Sequence, residues 1–315
     1  MGMLRTVTLN TGFDDYYTVS GLAWGGLGRM HGFRSVCSGK GISCARTAVA
    51  LGVPTKAYAL IGIDDADHYS TRLEDEGIDH FLVPVPGATR HNLTLLDATG
   101  EKVGAHFVAK GFTLGGPEQV SPLMERVLAD VVPGDVVTLN GSTPAGLPDD
   151  TWAELAAGCL ARGARVVVDA QQAAFRAALN VPGVTAFKPN DDEILALAGI
   201  QDLPADRRVP AALDALTAAG TAIPLVSLGS RGVATLRGGV PVRTWCPVAA
   251  PVQSVMAGDA FVAGLAQGLL AEADPEACIA RALAAAAAHV AGLEGPALRE
   301  QAERNVAAVR SERLT

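Results

Sequence analysis

The chain has 315 residues, 49% hydrophobic and 18% charged, with 25 basic against 33 acidic side chains and a formal net charge of −8. This is enough apolar material for a sizeable core and excludes a disordered chain; the acidic balance excludes nucleic acid and anionic membranes as expected partners, so any basic pocket must be local. The five cysteines, Cys37, Cys44, Cys159, Cys246 and Cys278, have no CxxC spacing and read as the reduced thiols of a cytoplasmic protein.

Residues 1–10 carry one arginine and no long apolar stretch, so no signal peptide is evident. Residues 6–9 have the β-branched, apolar character of a first strand, ended by Asn10-Thr11-Gly12. A Gly-rich, weakly patterned section runs to Ser38 and suits the short strands of an outlying flap. Gly39-Lys40-Gly41 opens a helix over 42–51, closed by Gly52 and Pro54. A strand at 55–61, a helix at 64–76 and strands at 78–83, 92–96 and 103–108 follow, with a turn at 98–101. From there helices and strands alternate. Helices are predicted at 117–130, 149–162, 191–198 and 209–219, and strands at 135–139, 165–168, 184–187 and 223–227. A hairpin is predicted around Gly238-Gly239, and three helices run from Asp259. The Ala-rich run at 282–290 is too short to span a bilayer. Continuous apolar strands alternating with helices predict an α/β fold, a mostly parallel sheet covered on both faces. The simplest organisation is one domain over 1–315 with a small β lid from about 11–36 and 89–110.

In such sheets ligands bind beyond the carboxyl ends of the strands. Asp14, Asn140, Ser142, Asp169, Lys188, Asn190 and Ser227 all follow predicted strands. Ala257-Gly258-Asp259 leads into an apolar helical run, so unpaired N–H groups at that helix start would favour an anion. A carboxylate there is either a helix N-cap or a base that deprotonates a hydroxyl attacking a phosphate. Asn190 and Glu193 are three apart. They fit a capping box, or a Mg²⁺ site that works through water beside phosphate oxygens. A P-loop, a GxGxxG dinucleotide loop, HExxH and GxSxG are all missing, and the six histidines are dispersed. The histidines read as surface or core residues.

Several stretches together resemble the PfkB, or ribokinase-like, carbohydrate kinases. Gly39-Lys40-Gly41-Ile42-Ser43-Cys44-Ala45-Arg46 is similar to the N-terminal GGKGxNxAR signature, and Met256-Ala257-Gly258-Asp259-Ala260-Phe261 to GAGDxF. Lys188-Pro189-Asn190-Asp191-Asp192-Glu193 resembles KPNxxE, and Ser227-Leu228-Gly229-Ser230-Arg231-Gly232 resembles SLGxxG. Thr89-Arg90-His91-Asn92 and Gly141 to Gly146 point to the branch that phosphorylates sugar phosphates, such as 1-phosphofructokinase and tagatose-6-phosphate kinase. The motifs occur in consistent order over nearly the whole chain.

The resemblance implies a ribokinase-like fold and transfer of the γ-phosphoryl group of ATP, with Mg²⁺, to a hydroxyl of a sugar or sugar phosphate. It implies that Asp259 is the base and that the backbone of Ala257, Gly258 and Asp259 forms an anion hole. Asn190 and Glu193 would organise Mg²⁺. Lys188, Asn190, Ser227, Gly229 and Gly232 would serve the nucleotide. Asp14, Gly39, Lys40 and Ser43 would face the sugar, and Arg90, with Arg29, would hold its existing phosphate. It further implies a homodimer formed through the lid.

The chain departs from the family pattern at Ser38, Ser43, Met256, residues 11–13 and Ala170-Gln171-Gln172. Methionine where a glycine can take positive φ is strained. The expectation is a shifted turn or a side chain lying over the phosphoryl position. The alternative function is a family member that binds a sugar phosphate or nucleotide and transfers phosphate poorly or not at all.

Overall fold

The computed structural model describes residues 2–314 except 22, 24, 101 and 102; Glu101 of the predicted turn therefore lies outside them. A ten-stranded sheet is the organising element. Its first strand, β1 (Leu4–Thr8), is completely buried. It lies between β4 (Thr55–Gly62) and β8 (Val136–Asn140), parallel to both. β5 (Asp79–Val85) continues the parallel array beyond β4. β9 (Arg165–Asp169), β10 (Ala186–Phe187) and β11 (Ile223–Ser227) continue it beyond β8. The antiparallel strands β12 (Val233–Arg237), β13 (Val240–Trp245) and β14 (Arg310–Arg313) complete the far edge.

The period-2 alternation of β1 explains the two layers. Leu4 packs into one core with α1 (Lys40–Ala50), α7 (Ala257–Leu270), α8 (Pro275–Val290) and α9 (Gly295–Asn305). Val7 and Leu9 point to the other core, with α3 (Ser121–Asp130), α4 (Thr151–Leu160), α5 (Gln172–Ala178) and α6 (Ala205–Ala218). α2 (Ala66–Asp75) packs through Tyr69 and Leu73 into a third cluster with Phe13 and Ile42.

A second sheet has the order β3-β2-β6-β7. It is built from β2 (Gly12–Ser20), β3 (Arg29–Ser38), β6 (Arg90–Leu96) and β7 (Val103–Phe107). These are the predicted lid segments, but β2 and β3 are nine and ten residues long rather than short.

Some expected elements differ. The helix predicted over 117–130 is a 3₁₀ turn, Pro117–Gln119, followed by α3. That predicted over 191–198 shrinks to a 3₁₀ turn, Glu193–Ala196, because Leu197 is already extended at ψ 140°. α5 and β14 had no counterpart in the sequence reading.

The order of strands reverses at β1. The chain builds β4 and β5 on one side of it, then returns to lay β8 on the other. That reversal opens a crevice beyond the carboxyl ends of β1 and β8, the usual ligand position in such sheets.

Candidate active site

Beyond those strand ends lies a cavity of about 440 Å³. Its floor comes from the turns after the parallel strands and its roof from the lid. Two lysines that line it, Lys40 and Lys188, meet on Asp169, the last residue of β9, 1% exposed. Its Oδ1 accepts from Lys40 Nζ at 3.0 Å and Lys188 Nζ at 3.2 Å. Burial alone would raise the Asp169 pKa; Lys188 and Lys40 outweigh that and hold it below the usual carboxylate value. Conversely, burial works against the Lys40 ammonium, and Asp169 with Asp259 keeps its pKa above the ordinary value. Lys40 can reach this position because α1 starts close against β1: a Cβ on Gly41 would collide with the Thr8 hydroxyl.

Asp259 sits in the first turn of α7, 7% exposed, and its carboxylate has no hydrogen-bond partner among the described residues. Burial first, then the Asp169 charge, pushes it up to about 7, against the pull of Lys40 and Lys188. A side-chain cap on α7 is not observed, so the N-cap alternative for Asp259 is not what the structure shows. An unpartnered carboxylate titrating near neutrality suits a general base.

The expected anion hole is narrower than the sequence implied. Ala257 N–H already donates to Ser254 O at 3.3 Å, and Asp259 N–H to Met256 O at 3.0 Å. The Gly258 N–H has no partner among the described residues. A Cβ on Gly258 would lie 3.3 Å from Lys188 Nζ, so glycine leaves room for the ammonium at the helix start. Met256 keeps the left-handed turn at φ 63°, ψ 4°. The methionine lines the cavity. Ser43, expected to face the sugar, lines it too, but its Oγ donates to Met256 Sδ at 3.2 Å.

The lid contributes the other end. In its register Asp14 lies opposite Asn92, and Thr94 opposite His106. Asp14 Oδ1 accepts from Ser38 Oγ at 3.0 Å and Asn92 Nδ2 at 2.7 Å, leaving Oδ2 for a ligand. Arg90 Nη2 donates to Asn10 O at 3.1 Å, while its buried Nε has no partner. Burial pulls the Arg90 pKa down, opposed by Asp14. Asn10 Oδ1 and Asp169 Oδ2 are likewise buried and unpaired. Arg90 and Asn10 are among the residues that line the cavity, and Asp169 meets the two lysines that do.

The structure thus brings together Asp14, Gly39, Lys40, Ser43, Arg90, Lys188, Gly258 and Asp259. It does not bring Arg29 there: that residue opens β3 at the exposed far end of the lid, paired with Ser20. Asn190, Ser227, Gly229 and Gly232 form a neighbouring loop cluster outside the cavity. Ser227 Oγ donates to Pro189 O, and Asn190 bridges Ser227. Gly232 has φ 95°, and a Cβ there would collide with Thr244 O, so this turn requires glycine. Asn190 Oδ1 accepts from the N–H groups of Asp192 and Glu193, and Glu193 Oε2 accepts from Asn190 N–H at 2.9 Å. That is the reciprocal capping box. It leaves one Glu193 oxygen without a protein partner among the described residues.

Asn92 and Gln171, quoted above for the resemblance and as a departure from it, line the cavity, and so do His106 and Val108, which were not singled out. His106 was read with the surface and core histidines; only its place opposite Thr94, to whose hydroxyl it is bonded at 2.8 Å, reveals it.

A helix start with a free Gly258 N–H, two lysines and an unpartnered carboxylate at a sheet's switch point suit phosphoryl transfer to a hydroxyl acceptor. Residues 14–295 match the model of the pfkB family of carbohydrate kinases, and the chain belongs to that family. It is 33% identical over 276 residues to 1-phosphofructokinase of Xanthomonas campestris pv. campestris, covering 85% of this chain and 84% of that one. It is 30% identical over 267 residues to 1-phosphofructokinase of Bacillus subtilis, covering 85% and 86%. The tetrameric inhibited form of phosphofructokinase-2 from Escherichia coli superposes with a TM-score of 0.87 at 24% identity, over 98% of this chain and 99% of that one. The chain is a sugar kinase.

Proposed function

We propose that the chain transfers the γ-phosphoryl group of ATP to a free hydroxyl of fructose 1-phosphate, with Asp259 as the base. Tagatose 6-phosphate is the second acceptor to test. The observation that carries this is the cavity's two ends: an unpartnered Asp259 beside Gly258 N–H and Lys188, and a lid end bearing Arg90. The names of the relatives support a ketose monophosphate.

Asp14 Oδ2 accepts from sugar hydroxyls and fixes the ring. Arg90 offers its fork to the existing phosphate, which guanidinium suits better than ammonium does. Lys40, Lys188 and the Gly258 N–H face the charge that develops on the transferring group. Asp259, its pKa near 7, takes the hydroxyl proton. Asn190, Ser227, Gly229 and Gly232 line the nucleotide's side. Mg²⁺ supplies neutralisation of phosphate charge when bound. The donor set suits it through water only: Asn190 is spent on capping, and a single free Glu193 oxygen matches an ion that keeps its own waters.

We also read residues 1–315 as one working unit. The cytoplasm is its compartment, a reading supported by five unpaired cysteines, four of them buried. Among the described residues no helix is long and apolar enough to cross a membrane. The lid face turned away from Asp14 carries Tyr17 and Phe33, ring centroids 4.9 Å apart, with Phe33 57% and Phe107 56% exposed. An apolar sheet face of this kind suits a second copy of the chain, and Arg29 lies at its end. Sedimentation velocity over a concentration series tests the dimer.

ATP consumption with fructose 1-phosphate, tagatose 6-phosphate and free fructose, with and without a Mg²⁺ chelator, tests the reading. Turnover is expected with a sugar phosphate and is lost with the chelator. Arg90→Ala raises KM for fructose 1-phosphate about 10-fold or more, since a charged hydrogen bond contributes roughly 1.5–3 kcal/mol. Free fructose kinetics stay the same. If Arg90→Ala leaves the KM for the sugar phosphate unmoved, the guanidinium does not hold the phosphate.

A further inference from the structure

Met256 holds a left-handed backbone, φ 63°, which residues with a Cβ seldom adopt. Such an outlier persists only where its surroundings fix it. Two sets of contacts do so. Its carbonyl accepts from the N–H groups of Asp259 and Ala260, both at 3.0 Å. Its Sδ accepts from Ser43 Oγ at 3.2 Å, a bond between residues 213 positions apart. That bond ties the first turn of α1, which starts at Lys40, to the start of α7, which carries Asp259. Both side chains line the cavity.

A serine hydroxyl has one proton and two lone pairs. With the proton given to the thioether, only lone pairs remain for the cavity. We propose that Ser43 and Met256 act as one positioning unit for the acceptor. The methionine sulfur takes Ser43's only proton, so Ser43 accepts a hydrogen bond from a sugar hydroxyl other than the one Asp259 deprotonates, and so sets the position of the sugar relative to Asp259. This rests on the kinase reading above. Ser43 therefore selects a donor O–H at that point of the sugar, and Met256 acts through Ser43 rather than on the substrate's polar groups.

The test is a double-mutant cycle on the full chain with fructose 1-phosphate and ATP, comparing wild type, Ser43→Ala, Met256→Leu and the double variant. Leucine keeps the apolar bulk and removes the sulfur acceptor. Each single variant loses on the order of fivefold in kcat/KM, mostly through KM, as expected for one neutral hydrogen bond. The double variant loses about the same fivefold, because both changes remove one interaction. Ser43→Thr, which keeps the hydroxyl, recovers most of the loss. The four unfolding midpoints stay together, which separates positioning from a folding defect.

Losses that multiply in the double variant overturn the proposal, and so does a Ser43→Ala enzyme with wild-type kinetics. If wild type transfers phosphate to no sugar or sugar phosphate, the kinase reading fails. The same cycle on the Kd of fructose 1-phosphate by calorimetry then decides the pair, and absence of binding overturns both.

Discussion

Asp259→Asn lowers kcat by about 10²-fold or more and leaves ATP binding nearly intact, because asparagine fills the same volume and accepts no proton. The wild-type pH profile is part of the same expectation. Asp259 works as a base only when ionised, and burial with the neighbouring Asp169 charge pushes its pKa up to about 7. Activity is therefore present above that value and falls as pH drops through it. The stability effect runs the other way. A carboxyl whose pKa is raised on folding contributes stability that is complete below its unfolded value, near 3.8, and lost as pH rises through about 7. At pH 8 the folded wild type carries a buried charge that the asparagine variant lacks. The variant should then be more stable, by at most about 4 kcal/mol for a shift of this size, and the difference should vanish near pH 4. Urea titrations at the two pH values check this beside initial rates. A variant that keeps full turnover removes Asp259 from the chemistry; one that is less stable at pH 8 shows that the wild-type carboxylate is not paying a burial cost.

How far the sequence shows this site depends on where each residue's signal lies. β8 and β9 are buried on both faces and read as apolar runs, so the polar groups after them, Asn140, Ser142 and Asp169, stand out by position. The helix start at Asp259 is visible for the same reason, as an abrupt change from small residues to an apolar run. The lid behaves differently. β3 has Arg29, His31, Gly32 and Arg34 in an exposed strand, so no alternation marks it. Its order comes from pairing with β2, which continues to β6 from a distant part of the chain. His106 owes its place in the cavity to that register alone. β14 is exposed at every position and joins the sheet edge through its backbone and the contact of Thr244 Oγ1 with Ser311 Oγ at 3.0 Å; a burial pattern cannot report it. Spacing reveals which N–H groups lie at a helix start, not which of them a preceding turn already uses. Ser254 O and Met256 O had taken two of the three.

Asp169→Asn is the change whose stability cost should be largest. The two lysine ammoniums meet on one oxygen of a carboxylate that is 1% exposed, with Lys188 itself buried. Removing one partner of a buried ionic cluster leaves uncompensated charge and costs roughly 3–5 kcal/mol. The pH dependence of that contribution follows from the lowered Asp169 pKa. It is present above the unfolded carboxyl value and lost as pH falls through the lower folded value, so wild type and variant converge in acid. The variant also separates two electrostatic roles. The Asp169 charge raises the Asp259 pKa, while Lys40 and Lys188 lower it. With Asp169 neutral, its raising charge is gone and only burial and Asp14 oppose the lysines, so the acid limb of the kcat profile moves to lower pH even as the rate falls. Urea unfolding at pH 7 and pH 2, with a pH–rate profile of the purified variant, measures both effects. A limb that stays in place would mean that burial alone sets the base, and that Asp169 serves only to hold the lysines.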